Sequence, residues 1–322
     1  MNNPTENEID DLFDRYQKGQ YDEAEKLAKS IIQKYPNHAF SWKVLGAVFK
    51  NTGKLQDSLV ANRKAVELVP TDAAAHNNLG ITLQELLMLD EAEKCYRKAI
   101  DLSPEFSEAH NNLGVTLQER GNLADAEQSY KNTISINADF IQAHYNLGIT
   151  LQELGRFEEA KESYKKAIAI NPNHADAHYN LGNTYKEFNR LEEAESSYRK
   201  ALELNPNFAN AFNNLGIVLQ EFGKLEESEA CYRKAISMNS EFSEAHSNLG
   251  NILKELLRLD EAEISHQKAI EINPVNAEAY LNLGATLKEQ GRLNDAEKSY
   301  KKAIAINPKY ADAHSNLGAI FS

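Results

Sequence analysis

The sequence predicts an all-α protein, a solenoid built from 34-residue helix-turn-helix repeats. Nine glycines stand 34 residues apart with no break in register. A fixed period in this range is typical of arrays in which each unit buries its apolar face against its neighbours. Stability and any binding surface therefore follow from how the repeats stack. The periodic glycines are Gly46, Gly80, Gly114, Gly148, Gly182, Gly216, Gly250, Gly284 and Gly318.

Each repeat divides into two helices. With the periodic glycine as position 8, the copy at 73–106 reads AAAHNNLGITLQELLMLDEAEKCYRKAIDLSPEF. Apolar or small residues at positions 3, 4, 7, 8 and 11 share one face and predict helix A. A glycine often follows at position 15, an acidic pair opens helix B, and Pro104 ends the repeat. Ala138 and Ser240 replace this proline in two copies, where we expect helix B to stop at the same place.

The order of these residues resembles the tetratricopeptide repeat, whose pattern is Trp-x-x-Leu-Gly-x-x-Tyr, then Ala-x-x-x-Phe, then Pro. Residues 42–49 match its first part, and residues 92–104 match the rest. The segments NLGNTYKE (180–187) and NLGNILKE (248–255) look like the subtype found in the superhelix of O-linked N-acetylglucosamine transferase. The resemblance implies a right-handed superhelix whose concave side is lined by helix A.

The repeats predict three segments along the chain. Residues 1–38 form a degenerate amino-terminal capping repeat, in which Asp11 and Leu12 stand where Leu and Gly are expected. Residues 39–310 form eight regular repeats, and 311–322 form the first helix of an incomplete ninth. Because that last helix would lack its helix B, we expect either a longer protein or self-association through the carboxyl-terminal end.

Composition restricts the classes of partner. The formal net charge of −13 argues against nucleic acid, whose binding draws on Lys and Arg. The polar amino terminus and the lack of a long apolar run predict no signal peptide, no membrane span and a cytoplasmic location. Cys95 and Cys231 lie at equivalent positions four repeats apart, so we expect free thiols.

Position 6 is asparagine in eight successive repeats. At about 100° per residue it lies opposite the core stripe, on the side that the resemblance makes concave. An asparagine amide both donates and accepts, which matches one peptide group of an extended chain. The alternative is that the asparagine is family consensus and steadies adjacent helices. The predicted peptide-binding residues are Asn78, Asn112, Asn146, Asn180, Asn214, Asn248, Asn282 and Asn316.

Glutamates recur at position 13, near the carboxyl end of helix A, where the helix dipole disfavours an anion. In later repeats we expect a basic residue three positions on to offset this charge, as Arg156 could for Glu153. Glu85 and Glu119 lack such a neighbour, so the sequence predicts an acidic groove that favours basic partners; a solvated charged face is the alternative. The residues that set this groove charge are Glu85, Glu119, Glu153, Glu187, Lys186, Lys254 and Lys288.

No catalytic, metal-binding or cofactor-binding motif accompanies the repeats. The histidines at position 4 lie on the core stripe, which favours a packing role over a metal site. The sequence therefore predicts a scaffold, with no enzymatic activity of its own, that binds an extended protein or peptide segment in its concave groove. The alternative is the substrate-recruiting amino-terminal region of a larger enzyme, a glycosyltransferase, sulfotransferase or methyltransferase, whose catalytic domain this chain lacks.

Overall fold

A computed structural model describes residues 3–320 of the chain. The first two residues of the predicted cap and the last two of the predicted half-repeat lie outside the described residues. Between residues 3 and 320 all regular structure is helical, with nineteen α-helices in consecutive helix-turn-helix pairs and no strand. The predicted all-α class is confirmed; the roles of residues 1–38 as a cap and of 311–322 as an incomplete repeat stay predictions.

The helices group into two compact units, Met1–Ile170 and Asn171–Ser322. The division falls between two repeats, after a helix B. The first unit holds α1 (Glu6–Gln17), α2 (Tyr21–Lys34), α3 (Ala39–Asn51), α4 (Leu55–Leu68), α5 (Ala73–Glu85), α6 (Leu89–Leu102), α7 (Ser107–Glu119), α8 (Leu123–Ile136), α9 (Ile141–Glu153) and α10 (Phe157–Ile170).

The second unit repeats the same alternation of helices A and B. It holds α11 (Ala175–Glu187), α12 (Leu191–Leu204), α13 (Ala209–Glu221), α14 (Leu225–Met238), α15 (Ser243–Glu255), α16 (Leu259–Ile272), α17 (Ala277–Glu289), α18 (Leu293–Ile306) and α19 (Ala311–Gly318).

Within each unit the A helices lie closer together than the B helices do. Each A helix from α3 to α17 packs most extensively on the B helix of its own repeat and less on that of the repeat before it. Consecutive A helices also contact one another, as in α5 with α7 and α13 with α15. Successive B helices are farther apart and meet through side-chain ion pairs, as between Arg63 in α4 and Glu91 in α6 at 2.9 Å. The A helices thus form the more tightly spaced layer of each unit.

The periodic glycine is required by an aromatic ring of helix B. Tyr96 is fully buried, and a Cβ atom at Gly80 would lie 2.7 Å from its Cε1. The same contact recurs at Gly148, where the distance to Cε1 of Tyr164 would be 2.5 Å. Any larger residue at position 8 would therefore push the two helices of its repeat apart.

The predicted breaks between helices are confirmed. Glycines at position 15 take φ values of 67° to 78°, the left-handed region that ends helix A. Three repeats place a non-glycine residue in the same conformation: Leu87 (φ 59°), Asn189 (φ 54°) and Leu257 (φ 59°). Helices α8 and α14 end two residues before Ala138 and Ser240, as α6 ends two residues before Pro104.

Candidate functional site

The position-6 asparagines lie on one face of the A helices, which we call the amide face; positions 9, 12 and 13 of helix A complete it. Their side chains are half-buried, and Asn146 is only 8% exposed. The stripe opposite the core face therefore also packs, in part, against neighbouring helices. The asparagines lie where neighbouring A helices meet, because consecutive A helices in each unit are in direct contact.

In the first unit an asparagine amide joins two A helices. Asn112 Nδ2 in α7 donates to Asn77 Oδ1 in α5 over 3.1 Å. Asn77 is the position-5 residue of the preceding repeat, and it is buried. Asn146 is engaged differently, since its Oδ1 accepts a hydrogen bond from Gln142 Nε2 at 3.0 Å within the same helix.

The second unit repeats this link from position 6 to position 5 of the preceding repeat. Asn214 Nδ2 donates to Tyr179 Oη at 3.2 Å and to Asn183 Oδ1 at 2.9 Å. Asn248 Nδ2 donates to Asn213 Oδ1 at 3.0 Å. Asn282 Nδ2 lies 3.5 Å from Ser247 Oγ, the weakest of these contacts.

These hydrogen bonds occupy the amide nitrogen of the asparagine and do not use its amide oxygen. Among the described residues, no hydrogen bond reaches Oδ1 of Asn112, Asn248 or Asn282. The Nδ2 atoms thus link neighbouring A helices, and the Oδ1 atoms beside them are fixed in direction and can still accept a hydrogen bond. Sequence reasoning missed the acceptors at position 5, although polar residues occupy that position from Asn77 to Ser247. Peptide binding by the asparagines stays a prediction.

A second set of side-chain bonds connects positions 12 and 13 of the amide face. Gln84 Oε1 accepts from Tyr96 Oη at 3.1 Å, and Gln84 Nε2 donates to Glu119 Oε1 in the next repeat at 3.2 Å. Gln118 makes the same pair of bonds to Tyr130 and Glu153. Burial raises the pKa of Tyr96, so its hydroxyl stays protonated and can donate. These two hydrogen bonds therefore connect one helix B to two successive A helices.

The predicted ion pairs between position 13 and the basic residue three positions on are wrong. Arg156 contacts Glu127 at 2.6 Å and Glu159 at 2.5 Å, both on B helices. Arg258 similarly contacts Glu229 and Glu261. The reason is that the left-handed residue turns the chain between positions 13 and 16, so the basic side chain lies along helix B.

The expectation that Glu85 lacks a cationic partner is corrected, whereas among the described residues Glu119 pairs with no cation and its charge stays uncompensated. Glu85 pairs with Lys50 Nζ at 3.5 Å, and Glu119 accepts the Gln84 amide. In the second unit Lys254 Nζ lies 4.0 Å from Glu289. The compensating residue therefore comes from position 12 of the preceding repeat.

The histidines at position 4 hold the junction between repeats. His76 Nε2 lies 2.9 Å from the carbonyl oxygen of Pro70, and five further histidines make the equivalent contact six residues back. Burial lowers the pKa of His178 and of His246, which favours their neutral form. No group of three or more His, Cys, Asp or Glu suited to a metal ion occurs between residues 3 and 320.

The two cysteines are free thiols, as predicted. Burial raises the pKa of each thiol to about 11, so neither is a reactive thiolate near neutral pH. In the part of the chain that the structure describes, no helix combines the length and the apolar character needed to cross a membrane.

Family models match most of the chain. The model of the C-terminal domain of cilia and flagella-associated protein 70 matches residues 102–317, about two thirds of the chain. Two tetratricopeptide repeat models match residues 73–106 and 14–38. No curated protein matches the sequence at a significant level.

Solved structures share the architecture. YrrB, a tetratricopeptide repeat protein with an unusual peptide-binding site, is 26% identical; the match covers 59% of this chain and 97% of YrrB, with a TM-score of 0.51. The APC/C hetero-tetramer Cut9-Hcn1 is 15% identical, covering 93% of this chain and 59% of that chain, with a TM-score of 0.62. A tetratricopeptide repeat protein from Parabacteroides merdae is 21% identical, covering 78% and 99%, with a TM-score of 0.57.

Proposed function

Because the chain belongs to the family of tetratricopeptide repeat domains that includes the C-terminal domain of cilia and flagella-associated protein 70, we propose that it holds an extended polypeptide segment against its amide face. Tetratricopeptide repeat proteins generally act as protein-interaction scaffolds. The finer proposal is that the partner's backbone N–H groups donate to the free oxygens of Asn112, Asn248 and Asn282, each within its own unit.

The asparagine oxygens are held in one direction before a partner binds, and this supports the proposal. The amide nitrogen of each of these asparagines is already bonded to position 5 of the preceding repeat, which fixes the direction of its oxygen. A preoriented acceptor loses little entropy when a donor arrives. The close spacing of the A helices supports this surface, and the peptide-binding site of YrrB supports peptide binding without indicating a surface.

The expected affinity of the asparagines alone is low. Each hydrogen bond contributes about 0.5–1.5 kcal/mol net. Ordering one residue of the ligand costs about 1–2 kcal/mol. Apolar contacts must supply the difference, and half-buried side chains at position 9 offer them in the first unit: Ile81, Val115 and Ile149.

The asparagine contacts can be tested with a peptide selected from a display library of unstructured segments. We expect Asn112→Ala to weaken binding of a peptide held by the first unit by about two- to tenfold, the loss of one neutral hydrogen bond. Combining Asn248→Ala and Asn282→Ala should do the same for a peptide held by the second unit. Isothermal titration calorimetry gives the dissociation constants.

Asn132→Ala is the matched control, because Asn132 belongs to helix B and not to the amide face. Circular dichroism confirms that each variant keeps its helices. Unchanged dissociation constants in both sets of amide-face variants, with intact helicity, would rule out recognition through the asparagines.

A further inference from the structure

A cleft of about 530 Å³ opens on the amide face between α5 and α7, within the first unit. Its size falls in the range of about 300–1,000 Å³ typical of pockets that bind small organic groups. Three aliphatic side chains form one part of its lining: Ile81, Leu87 and Val115. Asn112 and the charged residues Lys50, Glu85 and Glu119 form the other part. The lining thus combines aliphatic side chains with two carboxylates.

Leu87 is the unusual member of this lining. Its φ of 59° is left-handed, and its side chain is 81% exposed. Four other turns of the same unit have glycine there: Gly19, Gly53, Gly121 and Gly155. A left-handed conformation costs an L-residue about 1–2 kcal/mol relative to glycine. An exposed side chain of this size offers the fold no burial in return, so Leu87 supplies aliphatic surface to the cleft without stabilising the fold.

The charges in the cleft leave one negative charge in excess. Lys50 provides one ammonium group, and Glu85 and Glu119 provide two carboxylates. The Lys50–Glu85 pair is 3.5 Å apart and exposed, and such pairs contribute little, so Glu85 can exchange partners at low cost. The contact that Glu119 makes is with the neutral Gln84 amide. A cation entering between these carboxylates would balance the charge.

We propose that this cleft binds a lysine side chain of an extended partner segment. The methylene stem packs on Ile81, Leu87 and Val115, and the ammonium group lies between Glu85 and Glu119. This rests on the proposed function, because the segment that carries the lysine runs past Asn112 in the same cleft. Lysine fits better than arginine, since the carboxylates lie on different helices and a compact charge needs no planar bidentate partner.

The test uses the whole chain with isotope-labelled Ile, Leu and Val methyl groups and three acetylated peptides of Gly and Ala. The peptides differ at one central residue, which is lysine, norleucine or arginine. We expect the lysine peptide to shift the methyl resonances of Ile81, Leu87 and Val115, and to bind about two- to fivefold tighter than the norleucine peptide, the range for exposed ion pairs. Higher salt should reduce this preference.

Two variants test the carboxylates and the aliphatic lining of the cleft separately. The double variant Glu85→Gln, Glu119→Gln should bind lysine and norleucine peptides equally. Leu87→Gly should weaken both peptides while relieving backbone strain, so loss of folding cannot explain the result. Leu257→Gly is the matched control: Leu257 has the same φ of 59° and is 80% exposed, but it lies in the second unit. It should leave peptide binding unchanged.

The outcomes distinguish this proposal from the scaffold proposal. Equal binding of the lysine and norleucine peptides, with weakening by Asn112→Ala, would overturn the lysine site and leave the asparagine contact standing. A lysine preference that survives Asn112→Ala without any loss of affinity would support the cleft and contradict the asparagine contact. Equal binding of the arginine peptide would contradict the choice of lysine.

Discussion

At the scale of single residues, the departures from the repeat are the informative positions. Six repeats place a buried tyrosine against the periodic glycine, and repeat 243–276 places His266 there. His266 is fully buried, and neither of its ring nitrogens has a hydrogen-bond partner among the described residues. Asn62, the other exception, donates to Ser58 and Thr82. Asn62 Oδ1 is itself buried without a partner among the described residues, so the cost of replacing tyrosine is offset only in part at Asn62 and not at all at His266.

His266→Tyr should stabilise the protein. The substitution restores the ring that packs on Gly250, and it removes unpaired polar atoms whose burial costs about 1–3 kcal/mol. Urea unfolding followed by circular dichroism should show a higher midpoint at pH 7. A midpoint equal to or below that of the wild type would show that the imidazole fits this site as well as a phenol does.

The same substitution should change how stability depends on pH. Burial lowers the pKa of His266 to about 3 from its usual 6.5. Between these values the unfolded state binds the proton and the folded state does not, so stability falls as the pH falls through this window, by up to about 1.4 kcal/mol per pH unit. Carboxylates titrate in both proteins, so the comparison is between wild type and variant. Parallel pH profiles would contradict the assignment.

At the scale of elements, the fit between helices A and B depends on the glycine at position 8. Gly148→Ala would bring a Cβ atom to 2.5 Å from Tyr164, whose ring is fully buried. Overpacking of this kind costs about 1–3 kcal/mol. We expect a lower urea midpoint for this variant.

Gly318→Ala is the matched control, because Gly318 is also at position 8 but no described atom lies within 4 Å of the place that a Cβ atom would take. Alanine favours a helix over glycine by about 1 kcal/mol, so this variant should be neutral or slightly more stable. Equal effects of the two substitutions would show that helix propensity, and not the tyrosine contact, explains the glycine.

The elements were predictable because their signals are local and recur from repeat to repeat. Glycine, acidic pairs and proline end or begin helices through their own backbone chemistry, and the structure places the helix ends accordingly. The side-chain contacts between residues of different repeats were not predictable in the same way. Whether Arg156 reaches Glu153 or Glu127 depends on how the chain turns after helix A, and the acceptor for Asn112 depends on how α7 sits against α5. Leu87 carries no local signal for a left-handed turn.

At the scale of the whole molecule, repetition explains why the candidate site is a face and not a point. Eight successive repeats carry the same position-6 amide, and differences between repeats on this face come from positions 9, 12 and 15. Position 12 is glutamine in three repeats of the first unit and lysine in three of the second: Lys186, Lys254 and Lys288. We therefore expect each unit to prefer different partner side chains while making the same backbone contacts.

The most direct test of recognition through the asparagine oxygens concerns the partner's backbone. A selected peptide is compared with a series in which one backbone amide at a time is replaced by an ester, which removes the N–H donor. At least one ester should weaken binding to the wild type by about two- to tenfold but have no effect on binding to the matching Asn112→Ala, Asn248→Ala or Asn282→Ala variant. Esters that weaken binding equally to wild type and variants would contradict recognition through these oxygens.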